Sequence, residues 1–142
     1  LGSGDGRNII AAAKLGAGRV VGVDIDARAV ATAMENARRN GIAGMDNAPP
    51  NSVQAQFLTA DTPLDEARHG RFEVCVANIL ANPLKVLAPL IARATNPGGA
   101  IVLSGILDSQ ADDVVQAYAS WVRLTVFRRE QEWVCLAGAR NQ

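Results

Sequence analysis

Gly2, Gly4 and Gly6 alternate in the opening run Leu1-Gly2-Ser3-Gly4-Asp5-Gly6-Arg7. Glycines so spaced let a backbone bend tightly and pass close to a ligand. A helix expected directly after them, over Asn8 to Leu15, offers unpaired N–H groups and a partial positive charge at its start. Many tight turns carry such a cluster, so its meaning depends on the residues further along the chain. Asp24 closes the next apolar run, about 20 residues on, where a nucleotide-binding α/β fold puts the carboxylate that accepts from ribose hydroxyls. Asp24 also reads as a helix cap, a place that Asp26 fills better. Asp61 follows an expected strand over Val53 to Leu58 and could accept from an adenine amino group; otherwise it is a loop or cap residue. Asn78 follows an expected strand over Arg71 to Ala77; otherwise it closes a turn. In open α/β sheets ligands bind at the carboxyl ends of strands, so these residues are expected to face one crevice.

The details argue against a nicotinamide dinucleotide. Its fingerprint needs glycine or alanine at the last position of G-x-G-x-x-G. Counted from Gly2 that position is Arg7, and a large charged side chain there would spoil close packing of helix on strand. The spacing G-x-G-x-G suits a cofactor with no pyrophosphate, beside whose methionine moiety and ribose the bend can pass.

The elements that must hold these residues alternate between apolar β-branched runs and helical stretches. Arg19 to Asp24 reads as a strand buried on both faces. Asp26 caps a helix from Ala27 to Arg39, with Val30, Met34 and Ala37 on its inner face, and Asn40-Gly41 ends it. Met34 is thus expected in the core. Gly44, Asn47, Pro49, Pro50 and Asn51 make residues 43–52 a loop. Asn82-Pro83 reads as an N-cap with proline at the first helical position, opening a helix to about Ala94 that Pro89 would kink. Asn96-Pro97-Gly98-Gly99 is expected as a turn and Ala100 to Ser104 as a strand. Asp108 to Ala119 is expected as a helix with Val114, Val115 and Tyr118 inward. Val122 to Phe127 and Trp133 to Ala137 are separated by too few residues for a crossover, so they are expected to pair as an antiparallel hairpin. The expected architecture is α/β: a mostly parallel, Rossmann-like sheet ending in that hairpin.

Composition narrows the partners. Lys plus Arg equals Asp plus Glu, 14 each, so charge gives no reason to expect nucleic acid or an anionic membrane. No apolar run reaches the ~20 residues of a membrane span. Cys75 and Cys135 sit in apolar runs without a CxxC or a nearby histidine; buried thiols of a reducing cytosol are expected, and no metal site. His69, beside Gly70, is expected in a solvated loop.

Gly2-Ser3-Gly4-Asp5-Gly6, Val23-Asp24, Asp61 and Asn96-Pro97-Gly98-Gly99 resemble the class I S-adenosylmethionine-dependent methyltransferases over nearly the whole chain. The runs from Ala12 to Asp26, from Val76 to Leu84, from Leu103 to Leu107 and from Glu132 to Gly138 are similar to the ribosomal protein L eleven methyltransferase family (PrmA type). Asn78-Ile79-Leu80-Ala81 is the most specific of these matches. The resemblance implies methylation of lysine ε-amines and an N-terminal α-amine on a large-subunit ribosomal protein in the cytoplasm, with S-adenosylmethionine as methyl donor. It matches Gly2, Asp24 and Asn78 to cofactor-contacting positions, and Asn78 to a role in orienting the amine. Ser3, Gly4, Gly6, Ile25 and Asp61 join them as candidate cofactor residues. Two departures stand out. The family's bend reads Gly-Cys-Gly-Ser-Gly before apolar residues, whereas Asp5 and Arg7 bring charge here. The family's first strand and its N-terminal substrate domain are not matched within residues 1–142, which are expected to be a partial catalytic domain.

Other readings remain on the same fold: an NAD-dependent oxidoreductase, or an interaction domain without turnover. Base methylation is disfavoured, because Ile79-Leu80-Ala81 brings no aromatic residue to stack a flipped base.

Overall fold

The computed structural model describes residues 1–44, 49, 52–62 and 70–142. His69 and most of the loop expected over 43–52 lie outside these residues. The chain divides into two compact units, Leu1–Pro63 and Leu64–Gln142.

The first unit carries α1 (Arg7–Lys14), β1 (Arg19–Asp24), α2 (Ala27–Arg39), β2 (Ala43–Gly44) and β3 (Gln54–Thr59). Its strands run parallel in the order β1-β3-β2. The α2 boundaries follow from local chemistry at both ends. The Asp26 carboxylate accepts the Arg28 N–H at 2.9 Å, satisfying one of the helix's orphan donors. At the other end Gly41 takes φ 73. Its N–H reaches Arg38 O, and the Ile42 N–H reaches Ala37 O, the paired bonds of a Schellman ending. Ile42 then folds into the core with Ala13, Val20, Ala37 and Ala55, against Ile9 and Phe57.

Met34 is 55% exposed, contrary to expectation, and Ala33 is fully buried in its place. Both positions fit a helical period. The glycine bend at Gly6 lies so close to the inner face of α2 that this face admits an alanine but not a methionine.

In the second unit β4 (Phe72–Asn78) pairs in parallel with β5 (Thr95–Leu107). β7 (Trp133–Ala139) lies antiparallel between β5 and β6 (Thr125–Glu130), giving the order β4-β5-β7-β6. The helices are α3 (Ala81–Val86), α4 (Ala88–Ala94) and α5 (Ala111–Tyr118), the last preceded by a 3₁₀ turn over Asp108–Gln110. Leu84, Ile91, Ile101, Leu103, Val114, Tyr118 and Leu136 are buried at its centre. Two buried polar groups close helix ends there. The Tyr118 hydroxyl donates to Leu84 O at 2.9 Å, and Thr95 Oγ1 donates to Ile91 O at 2.7 Å.

Several boundaries differ from the sequence expectation, four of them by more than a residue's shift at an element's end. The helix over 83–94 is two helices meeting at Leu87, because Pro89 lacks the N–H that would continue the first. The first of them starts at Ala81, so Asn82 lies inside its opening turn and its side chain caps nothing. Asn96 to Gly99 is not a turn before the strand but an irregularity within it: Phe72 pairs with Thr95 and Val74 with Ala100. The hairpin is tighter than expected. β6 extends to Glu130, which pairs with Trp133 across Gln131 and Glu132, while Val122 makes only a bridge to Arg140.

Candidate functional site

The glycine bend is strapped to the carboxyl end of β1. The Gly2 and Ser3 N–H groups both donate to Val23 O, at 2.9 and 3.1 Å, and the Gly6 N–H donates to Ser3 O at 2.9 Å. Gly2, Gly4 and Gly6 take φ of 69, 52 and 84, the left-handed region where a side chain is strained. From α2, the Asn36 side-chain amide donates to Asp5 O at 2.9 Å. A Cβ at Gly6 would stand 2.9 Å from Ala33 Cβ and 3.0 Å from its Cα, so the bend lies directly on α2. A Cβ at Gly22 would likewise meet Phe57, Ile9 and Ser3 at 3.0–3.2 Å. Gly22 is not among the residues expected from sequence, although a lone glycine inside a strand signals such a close approach.

Asp24 points into this bend. Its Oδ2 accepts the Gly4 N–H at 2.7 Å and its Oδ1 accepts the Asp26 N–H at 3.0 Å. A carboxylate has about four lone-pair sites, so about two remain, one on each oxygen. Two remaining acceptor sites are the number that a pair of neighbouring hydroxyls could use. Ile25, the next residue, is 89% exposed. Parallel pairing sets Asp24 opposite Thr59, and the Ala60 N–H donates to Asp24 O at 2.9 Å. Asp61 follows in the exposed turn closed by the Thr62 N–H on Thr59 O. Gly2, Ser3, Gly4, Gly6, Asp24, Ile25 and Asp61 therefore gather at one end of one sheet.

The two charged departures in the bend neutralise each other. Arg7 lies 2.8 Å from Asp5 in an exposed pair, and its guanidinium holds the Asp5 carboxyl below its ordinary value. The Asp5 carboxylate also takes the Arg7 N–H at 3.2 Å, serving the start of α1. Ser3 is buried, and its Oγ has no hydrogen-bond partner among the described residues.

Asn78 ends β4 in the second unit, opposite Ser104 on β5. It lines a cavity of about 440 Å³ with Ile79, Leu80, Ser104, Gly105 and Trp133. β5 carries one extra residue there: Leu103 pairs with Leu136, but Ile106 pairs with Val134. Bulges of this kind re-aim a strand beside functional sites. Gly105, at φ 83, leaves room for the Ile79 carbonyl, which a Cβ would approach to 2.6 Å. Ser104, Gly105 and Trp133 are likewise absent from the residues expected from sequence, and Trp133 supplies the aromatic wall that residues 79–81 lack.

Cys75 and Cys135 are half-buried rather than fully buried, and burial pushes both thiols up. Among the described residues no three His, Cys, Asp or Glu side chains come together as metal ligands. Among them, too, no helix is long and apolar enough to cross a membrane.

Residues 1–141 match the family model "Ribosomal protein L11 methyltransferase (PrmA)". The ribosomal protein L11 methyltransferase of Dechloromonas aromatica is 48% identical over 139 residues, which are 98% of this chain and 42% of that protein. That of Bordetella parapertussis is 47% identical over 98% of this chain and 40% of its own length. The chain thus spans about two fifths of these curated relatives. Among solved structures, the ribosomal protein L11 methylase of Lactobacillus delbrueckii subsp. bulgaricus superposes with a TM-score of 0.78 at 32% identity, over 99% of this chain and 68% of that one. With the family model matched almost end to end, and relatives at 47–48% identity over 98% of its length, the chain belongs to the ribosomal protein L11 methyltransferase (PrmA) family.

Proposed function

We propose that residues 1–142 form the cofactor-binding catalytic part of a protein N-methyltransferase that uses S-adenosylmethionine. Its substrates are lysine ε-amines or an N-terminal amine of a large-subunit ribosomal protein, and its place is the cytoplasm. The observation that carries the reading is the Asp24 carboxylate turned into the glycine bend, with one acceptor site left on each oxygen.

The residues present fit the cofactor. Asp24 offers the acceptors for a ribose diol, the exposed Ile25 offers an apolar surface for a purine, and Asp61 offers an acceptor for an exocyclic amine. Gly2, Gly4 and Gly6, all at positive φ, bring no Cβ at three of the bend's five positions, so a ligand can approach the backbone there. When bound, S-adenosylmethionine supplies a methyl group on a sulfonium, whose departure leaves a neutral thioether.

Little acid–base work is left for the protein. The amine must be neutral to attack, and a lysine of pKa ~10.4 is protonated at pH 7. The protein's part is to desolvate the amine and align it. Asn78 can accept an amine N–H through its amide oxygen, which turns the nitrogen lone pair away from the asparagine. With its first proton lost to solvent, an amine so held would present its lone pair for methylation, and the methylated ammonium would release its own proton to solvent.

The test is methyl transfer by the intact protein to purified ribosomal protein L11 from methyl-labelled S-adenosylmethionine. Label is expected on amines, and Asn78→Ala is expected to cut the rate by about 10²-fold, the cost of a misplaced nucleophile. Absence of label under saturating cofactor would remove the proposal.

A further inference from the structure

The cavity at the end of β4 has an aromatic wall that methyl transfer itself does not use. We propose that Trp133 is the substrate-recognition residue of this site, its indole face holding the cationic, aliphatic side chain whose amine Asn78 presents. This rests on reading the chain as an amine methyltransferase and adds the residue that selects the amine.

Trp133 opens β7 and is 44% exposed. Its backbone is fixed from both sides, by Leu107 on β5 and by Glu130 on β6. The preceding carbonyl, Glu132 O, accepts the Asp108 N–H at 2.8 Å. The ring is therefore mounted on rigid strands, where its exposure has a hydrophobic cost that a bound apolar stem would recover. The extra residue in β5 and the missing Cβ at Gly105 let the segment after Asn78 settle against β5. That settling is what places Asn78 and Trp133 on one cavity.

The wall chemistry selects the ligand. Asn78 and Ser104 bring the polar side chains, Ile79 and Leu80 the apolar ones, and among the described residues the lining contains no charged group. A lysine stem can lie along Ile79 and Leu80, its ammonium meeting the negative face of the indole on arrival, before the proton is lost, and again as positive charge builds on the nitrogen during methyl transfer. A nucleotide could stack on the same ring, but the lining offers neither lysine nor arginine to its phosphate. The amine is the better match.

The intact protein, labelled with ¹⁵N at its tryptophan indoles, is titrated with n-butylammonium, with neutral 1-pentanol and with cytidine monophosphate. Trp121 is the internal reference. The Trp133 Nε1–H resonance is expected to shift saturably with the ammonium ion and far less with the alcohol, while Trp121 stays still. Trp133→Leu is expected to raise KM for the protein substrate by about 3- to 30-fold, the span of a partly desolvated cation–aromatic contact. A contact made alike in ground and transition states should leave kcat within about twofold. Cofactor affinity and melting temperature should not change, and Trp133→Phe, which keeps a ring, should recover most of the KM.

An equal response to alcohol and cation, a response to the nucleotide alone, or an unchanged KM in Trp133→Leu would overturn the assignment. Should the leucine variant fail to fold, the phenylalanine variant and the wild-type titration decide. Failure of cofactor binding would sink the methyltransferase reading, while the ammonium titration still judges Trp133. Normal cofactor binding with a silent Trp133 sinks only the recognition role.

Discussion

Replacing Gly6 by alanine puts a methyl group where α2 already stands. The residue sits at φ 84, and left-handed backbone costs an L side chain about 1–2 kcal/mol. The new Cβ would lie 2.9 Å from Ala33 Cβ and 3.0 Å from Ala33 Cα. Ala33 is fully buried and its Cα belongs to the helix backbone, so the clash cannot be relieved by a rotamer change. Overpacking of this sort costs about 1–3 kcal/mol. The stiffer unfolded chain returns about 0.4–1 kcal/mol. The net expectation is a loss of about 1–5 kcal/mol, a large share of a stability of about 5–15 kcal/mol. Gly4→Ala is the control. Gly4 shares the positive φ, at 52, but a Cβ there meets nothing within 4 Å. Its loss should therefore be smaller by the whole overpacking contribution, about 1–3 kcal/mol. Urea unfolding followed by far-ultraviolet circular dichroism reads both variants against wild type. Equal midpoints for Gly6→Ala and Gly4→Ala would refute the claim that the bend rests on α2.

Two further outcomes are expected. Ser3→Ala removes a buried hydroxyl that has no partner among the described residues, so stability should rise by about 1 kcal/mol, seen as a higher melting temperature; a fall would mean that the hydroxyl is satisfied. Tyr118→Phe should cost about 1 kcal/mol at neutral pH through its lost bond to Leu84 O. Burial pushes the Tyr118 phenol above its ordinary 10.0, so the unfolded state releases its proton first as pH rises. The tyrosine's contribution is whole below pH 10.0 and is lost above it. Wild-type stability should thus fall more steeply above that pH than that of Tyr118→Phe, and parallel alkaline curves would contradict the burial argument.

The parts of this molecule legible in the sequence are those fixed by neighbours along the chain. The limits of α2 follow from Asp26 and Gly41, each acting within a few residues, and the bend follows from three glycines in five positions. Pro89 signals a broken helix, although the break falls at Leu87. Where tertiary pairing decides, local chemistry misleads. Asn96 to Gly99 has every mark of a turn, yet β4 holds strand pairing on either side of it. Met34 and Ala33 fit the helical period equally well. Only the approach of Gly6 determines that the small residue must face inward. The Asn78 cavity draws on three segments that are far apart in the chain. Strand pairing of Asn78 with Ser104 and of Leu107 with Trp133 assembles it, and no local pattern announces such a contact.

The central claim is that Asp24 holds a ribose diol beside the glycine bend. Calorimetric titration of the intact protein with S-adenosylmethionine tests it most directly, comparing wild type with Asp24→Asn. The asparagine oxygen can keep the Gly4 N–H bond, while its amide nitrogen turns a needed acceptor into a donor. Hydrogen bonds to a charged group contribute about 1.5–3 kcal/mol, so affinity should fall by at least about tenfold. Unchanged affinity in the variant, or no binding by wild type at millimolar cofactor, would contradict the account.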